Sequence, residues 1–429
     1  MGYALGAVVA AYLVQRFKQR LLFLLTEAVF VVATVLAATA PGAGAYVTGR
    51  TLQGAATGLM LVLALPPFVT RFGAGRLPRT AALVNVGLFG AVTVGPLAGG
   101  IAALTNEGFR GLFGVVAAAG AAGLTLAWLT LPHQPPFDPD TRPDWSAFAL
   151  AGIGTVLPFF AVTRLTSLPV TSPLVWAPLA VGVAALVLLI VRQYRRPDAL
   201  MPVKALSTSL PVIGTSVAMV AGAATVTFLE LTVVSLLEGQ QLRPMAAGAL
   251  LSPMVAGLAV AALLFARLLA TRWAPALVLA GLTAVGAGGV LLLEPSDHLR
   301  VALGAAVLGF GAGATVSPGL FLAAFGVEST KIGRAFALVE LLRSEAAYLV
   351  GPVLLYVAMS QATAVAGFTL AMGIGIAVVG FGIVMMLVLY LAGGVRPRPP
   401  DLDGWLRGDG LALHSPPTAE RARTAVAIH

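Results

Sequence analysis

The sequence predicts an all-α polytopic membrane protein, and three observations carry that prediction. Hydrophobic residues make up 59% of the 429-residue chain and charged residues only 10%. A soluble domain has about 25% charged residues, so this chain has too little charge to coat a globule in water. The apolar residues fall in long runs, each near the roughly 20 residues a spanning helix requires. Those runs are continuous, which excludes membrane β-barrel strands of about 10 residues alternating in polarity.

Taken in order, thirteen runs cover about 1–15, 21–40, 45–70, 80–104, 110–131, 146–165, 173–191, 208–237, 245–270, 274–293, 300–325, 334–359 and 364–392. The first is short for a full span. The breaks carry turn chemistry or charge, as in Pro41-Gly42-Ala43-Gly44 and Glu294-Pro295-Ser296-Asp297. The 49 Gly and 28 Pro fit membrane helices, where small residues let neighbours approach closely. The expected organisation is an N-terminal bundle of five helices over 1–131, a connection at 132–145, a central helix pair at 146–191 and a linker at 192–207. A six-helix bundle over 208–392 and a disordered polar tail over 393–429 follow.

The net charge of +9 does not mark a nucleic-acid binder, because the basic residues are spread between apolar runs. With residue 1 outside and the helices alternating, 20 of the 26 Lys and Arg fall on the cytoplasmic side, from Arg16, Lys18 and Arg20 to Arg421 and Arg423. Four (Arg110, Arg164, Arg243 and Arg300) fall outside, and Arg50 and Arg343 lie within helices. That bias sets the expected orientation, with the C-terminus cytoplasmic in the plasma membrane. The chain has no Cys, which removes disulfides and thiolate sites. His133, His298, His414 and His429 all fall in connections or the tail, so no metal centre is expected. The N-terminus shows no signal-peptide pattern. Gly309-Phe-Gly311-Ala-Gly313 lacks a Lys and lies inside an apolar run, so it reads as helix packing or a flexible gate rather than a phosphate loop. No cofactor and no enzymatic site is expected.

Three short motifs stand in order. Leu13-Val14-Gln15-Arg16-Phe17-Lys18-Gln19-Arg20 joins the first two runs, Gly49-Arg50-Thr51-Leu52-Gln53-Gly54 sits in the third, and Gly95-Pro96-Leu-Ala-Gly99-Gly100 ends the fourth. Small residues at 87, 91, 95 and 99 lie near one helix face, a spacing that lets a neighbouring backbone pack closely. Pro96 removes a backbone donor and bends its helix. Together these resemble the major facilitator superfamily, in its fourteen-helix drug:proton antiporter branch. The first is similar to that family's cytoplasmic motif, carrying Arg16 and Arg20. The second is similar to its Arg-x-x-Gln-Gly motif, carrying Arg50, Gln53 and Gly54. The third is similar to its antiporter motif, carrying Gly95, Pro96, Gly99 and Gly100. The resemblance covers nearly all the membrane region and implies that the branch's first helix is absent here. Gln15 and Lys18 replace the family's Asp and Gly, which weakens the charge lock the motif implies.

Ionisable groups inside a span cost several kcal/mol and are candidate functional sites. Arg50, near the outer end of its helix, is given by the resemblance a role in steering proton or substrate release. Glu230, in the outer third of 208–237, is the first candidate for a proton-binding or cation-attracting carboxylate, and Glu345 the second. Glu340 and Arg343 are three apart on one helix and read as a structural ion pair. Glu27 reads as snorkelling to the cytoplasm. Asn85 and Gln53 either bond between helices or touch substrate. The function implied is secondary active efflux of small lipophilic or amphipathic compounds against protons by alternating access, of the kind associated with multidrug resistance. The partners are membrane lipid, a small lipophilic substrate and protons, with the chain a monomer. The alternative is a truncated or degenerate non-transporting member of the same fold.

Overall fold

In the computed structural model, residues 1–418 are described apart from 106, 134, 137 and 397, together with all side chains but those of 70 and 166. Arg421, Arg423 and His429 therefore lie outside the described residues. The elements are α1 (Gly2–Arg16), α2 (Gln19–Ala38), α3 (Ala43–Thr70), α4 (Leu77–Ala102), α5 (Gly108–Thr130), α6 (Trp145–Thr163), α7 (Pro173–Arg195) and α8 (Val203–Leu206). They continue as α9 (Ser209–Val234), α10 (Pro244–Leu251), α11 (Met254–Leu268), α12 (Ala274–Leu291), α13 (His298–Phe325), α14 (Ile332–Met359), α15 (Ala364–Ala392) and α16 (Leu402–Arg407). Among the described residues, twelve helices are long and apolar enough to cross a membrane, against the thirteen runs read from the sequence. The difference is α1, whose 15 residues extend about 22 Å at 1.5 Å each, short of the roughly 30 Å hydrocarbon core. The run at 245–270 is broken at Ser252-Pro253 into α10 and α11.

The chain divides into two compact units. The first comprises residues 1–67, 101–203 and 336–341, and the second 68–100, 204–335 and 342–429. In the first unit, glycines set the helix spacing. A Cβ at Gly49 would stand 2.8 Å from the Ala37 nitrogen, so α2 and α3 meet backbone to backbone. Gly120 faces Phe30 at 3.1 Å across the α2–α5 seam, and Gly58 meets the Tyr3 carbonyl of α1. The helix pair α6–α7 is clamped at one end by Asp144. That carboxylate caps α6 by accepting from the Ala147 N–H at 3.1 Å, and also accepts from Ser146 at 2.5 Å, Gln193 at 3.0 Å and Arg196 at 2.7 Å. Burial opposes its charge and is the largest single influence. The hydrogen bonds from Ser146, Ala147 and Gln193 and the charge of Arg196 together outweigh it and hold the carboxyl below its ordinary value.

The second unit is built around α13, whose residues from Gly311 to Phe325 are all buried. Gly311 lies 2.7 Å, measured from an added Cβ, from the Val285 nitrogen of α12, and Gly309 abuts the Met254 carbonyl of α11. The glycine series 309–313 thus packs helices. The fourth helix, which sequence order keeps with the first five, packs in this unit through Asn85 and Gly100. Its contact face differs from the expected stripe. Gly87, Ala91, Gly95 and Gly99 are all exposed, and a Cβ on any of those three glycines would meet nothing within 4 Å. The close approach is instead through Gly100, 2.7 Å from the Pro244 carbonyl, and Gly248, 2.5 Å from the Pro96 carbonyl.

The expectation of a disordered tail is corrected for its described part. Asp401 caps α16, Gly408 ends it at φ +85°, and Trp405 is 1% exposed, donating from Nε1 to the Val327 carbonyl at 2.8 Å. Its ring meets Phe325 edge-on at 5.1 Å. Farther on, Leu413 N–H donates to the Phe325 carbonyl and Ser209 N–H to the Pro416 carbonyl, both at 3.0 Å. One indole and a few apolar residues in a polar segment were enough to anchor it.

Two predictions follow from this packing. Gly100→Leu should lower the melting temperature of the detergent-purified protein by several degrees, the overpacking cost being about 1–3 kcal/mol. Gly99→Leu, one residue away in open space, should leave it unchanged or slightly raised. Because Asp144 titrates lower in the fold than in the unfolded chain, its contribution is fully present above about pH 4 and drops out as pH falls below that. Melting of wild type and Asp144→Asn across that range should show a gap at neutral pH that closes in acid.

Candidate functional site

Helix α3 places Arg50 and Gln53 one turn apart on the same side. Arg50 Nη1 donates to Gln53 Oε1 at 2.5 Å, and Gln53 Nε2 donates to the Thr34 hydroxyl of α2 at 2.8 Å. Thr34 in turn donates to the Phe30 carbonyl at 2.6 Å. Gln53 and Thr34 are buried while Arg50 is exposed. The relay therefore holds a cationic group at the rim on a fully bonded buried stem. Phe113 of α5 backs it, 5.2 Å beneath the guanidinium carbon, and is itself flanked edge-on by Tyr46 at 6.2 Å. Gln53 is thus an interhelical bond as well as a motif residue. Thr34 and Phe113 were not legible as partners, since each is one polar or aromatic residue in an apolar run.

The glycine in the same motif does different work. A Cβ at Gly54 would stand 3.3 Å from the Tyr3 nitrogen, so the α1 backbone rides on α3 there. That seating carries the Tyr3 hydroxyl to Glu340, to which it donates at 2.7 Å. Glu340 is 1% exposed and belongs to the first unit, whereas Arg343 belongs to the second. Arg343 lays its aliphatic stem along Gly222 of α9, its Cγ 3.1 Å from where a Cβ would stand.

The first cytoplasmic-motif arginine, Arg16, donates to the Tyr12 hydroxyl at 3.0 Å and the Thr141 carbonyl at 3.3 Å. Arg20 donates to the Trp128 carbonyl at 2.6 Å and bonds the His133 ring at 2.9 Å. Both bind the 132–145 connection or the end of α5. Gln15, where the family has Asp, donates back to the Ala11 carbonyl at 2.7 Å, and its own carbonyl accepts from the Asp138 N–H at 2.9 Å. Glu27 is corrected: it does not snorkel but is 8% exposed, with its carboxylate 3.3 Å from a Cβ position at Gly123 of α5.

In the second unit, Glu230 is exposed on α9 and has no hydrogen-bonding partner among the described residues. Its carboxylate reaches α14, 3.0 Å from a Cβ position at Gly351, with the Thr227 hydroxyl 3.7 Å from the same point. Glu345 is buried on α14, 7% exposed. Asn85 is fully buried and donates to the Gly313 carbonyl of α13 at 2.8 Å, so it too bonds between helices.

The sequence pattern of the Major Facilitator Superfamily matches residues 1–352. An uncharacterised MFS-type transporter of Mycobacterium tuberculosis, Rv1250, is 33% identical over 200 residues, covering 46% of this chain and 33% of that protein. The chain spans between 33% and 42% of the length of the first curated relatives it matches. The drug efflux pump JefA of the same organism is 28% identical over 361 residues, 80% of this chain and 69% of that one. Among solved structures, the human organic anion transporter MFSD10 aligns with a TM-score of 0.62 at 16% identity, over 90% of this chain and 81% of its own. The proton:xylose symporter XylE aligns at 0.60 and 13% identity, over 95% and 86%. These structures share the fold. With its pattern matched from the first residue through most of α14, this chain belongs to the major facilitator superfamily.

Proposed function

We propose that the protein is a secondary active exporter that expels small lipophilic or amphipathic compounds in exchange for protons. The observation that carries this reading is the Arg50–Gln53–Thr34 relay, a fixed cation at the end of a bonded stem inside a span. Ionisable groups are retained in spans chiefly for function. Glu230 is the proton-carrying carboxylate, because it is a titratable group on a spanning helix with no hydrogen-bonding partner among the described residues. Glu345 is the second choice. Gly95, Pro96, Gly99 and Gly100 act as the antiporter motif of the fourth helix. The 28% identity to a relative named a drug efflux pump supports the direction and substrate class. Access alternates between the two sides of the membrane. The basic face, with the 132–145 connection and the C-terminal segment, is cytoplasmic in the plasma membrane, and the chain works as a monomer.

Inverted membrane vesicles test this reading with fluorescent lipophilic cations and a pH-sensitive dye. The wild type should accumulate dye when the lumen is acid and dissipate the pH gradient when substrate is added. Glu230→Gln should cut gradient-driven accumulation by about tenfold or more, equivalent to 1.4 kcal/mol of coupling, while leaving energy-independent substrate exchange in place. Accumulation by Glu230→Gln equal to wild type at every pH would assign coupling elsewhere. Arg50→Gln should lose transport, and Gln53→Ala should lose part of it together with melting stability, by about 1 kcal/mol for the lost interhelical bond to the Thr34 hydroxyl, which keeps its own bond to the Phe30 carbonyl. A wild type that neither accumulates dye nor moves protons would favour the non-transporting alternative.

A further inference from the structure

A cleft of about 240 Å³ opens between the start of α2 and the end of α5, lined by Lys18, Arg20, Leu21, Leu24, Trp128 and His133. Its chemistry is divided. Its lining includes two cationic side chains and an imidazole, and among the described residues no carboxylate pairs with either cation. Arg20 is held rigidly, bonded to the Trp128 carbonyl at 2.6 Å and the His133 ring at 2.9 Å. Lys18 makes no hydrogen bond through its side chain among the described residues and is exposed. The rest of the lining, Leu21, Leu24 and Trp128, is apolar. Leu21 is 52% and Trp128 61% exposed, and Leu21 begins an exposed apolar row that continues through Leu25, Val29 and Val32 along α2.

A soluble anion would satisfy the charged part of this lining and leave the apolar part bare. A neutral lipid would do the reverse. We propose that the cleft binds one anionic phospholipid, its headgroup phosphate against Lys18 and Arg20 and its upper acyl chain over Leu21, Leu24 and Trp128. Basic recesses between spanning helices at the membrane surface are suited to anionic headgroups, and Trp favours that interfacial depth. Lys at 18, where the cytoplasmic motif has Gly, supplies the second charge. The lipid is assigned to the inner leaflet on the orientation proposed above; the binding itself needs neither that orientation nor transport.

Native mass spectrometry of the detergent-purified full chain tests this against palmitoyl-oleoyl phosphatidylglycerol and the corresponding phosphatidylcholine. The wild type should retain phosphatidylglycerol about tenfold better, equivalent to 1.4 kcal/mol. The double variant Lys18→Gln, Arg20→Gln should reduce that preference to near one. If the double variant does not fold, Lys18→Gln alone, which breaks no internal bond, should lower the preference severalfold. Equal retention of the two lipids by wild type, or an unchanged preference in the variants, would overturn the proposal. Displacement of phosphatidylglycerol by an equal concentration of glycerol 3-phosphate would overturn the lipid as occupant and leave a site for soluble phosphate esters.

Discussion

Everything in this molecule depends on backbone reaching backbone. Lipid gives helices no hydrophobic reason to associate, so spanning helices hold together by close packing and by bonds between them. At Gly311 the nitrogen of α12 lies nearer than an ordinary side chain allows, and Gly309 meets the Met254 carbonyl in the same way on another face. A helix contacting several neighbours this closely becomes an axis, and α13 has that position in its unit. Asn85 adds a directional bond to the same axis at Gly313.

Two kinds of polar group stand out inside the spans. Gln53, bonded to the Thr34 hydroxyl, and the amide nitrogen of Asn85 make bonds that fix neighbouring helices. Glu230 is not so engaged, and Arg50 is held only at one edge of its guanidinium, over an aromatic ring. A membrane interior charges heavily for unspent polarity, so the second kind is where work against a ligand or proton is to be sought. The clamp at Asp144 belongs to neither: it sits just before its span, among partners that keep it charged.

The fold class was legible from composition and run length, because burying 59% hydrophobic residues in 18- to 31-residue helices leaves little choice. The family was legible from three motifs in order. Orientation within helices was not. Four-residue spacing identified a stripe at 87, 91, 95 and 99, yet the packed glycine was Gly100, one residue and about 100° around the helix. Spacing finds faces, but only the neighbour decides which face is used. Glu27 was misread for the same reason, since its depth along α2 said nothing of α5 beside it. The tail was misread because average polarity conceals a single Trp405, which bonds the Val327 carbonyl and packs on Phe325.

The bond from Tyr3 to Glu340 joins residues 337 positions apart. Synthesis runs from α1 towards α14, so α1 waits while the helices between them are made before the Tyr3 hydroxyl can find that carboxylate. The entropic cost of closure rises only slowly with that separation, but contacts this far apart in sequence are among the last to order. The first unit is thus finished late in biosynthesis, when residues 336–341 join it.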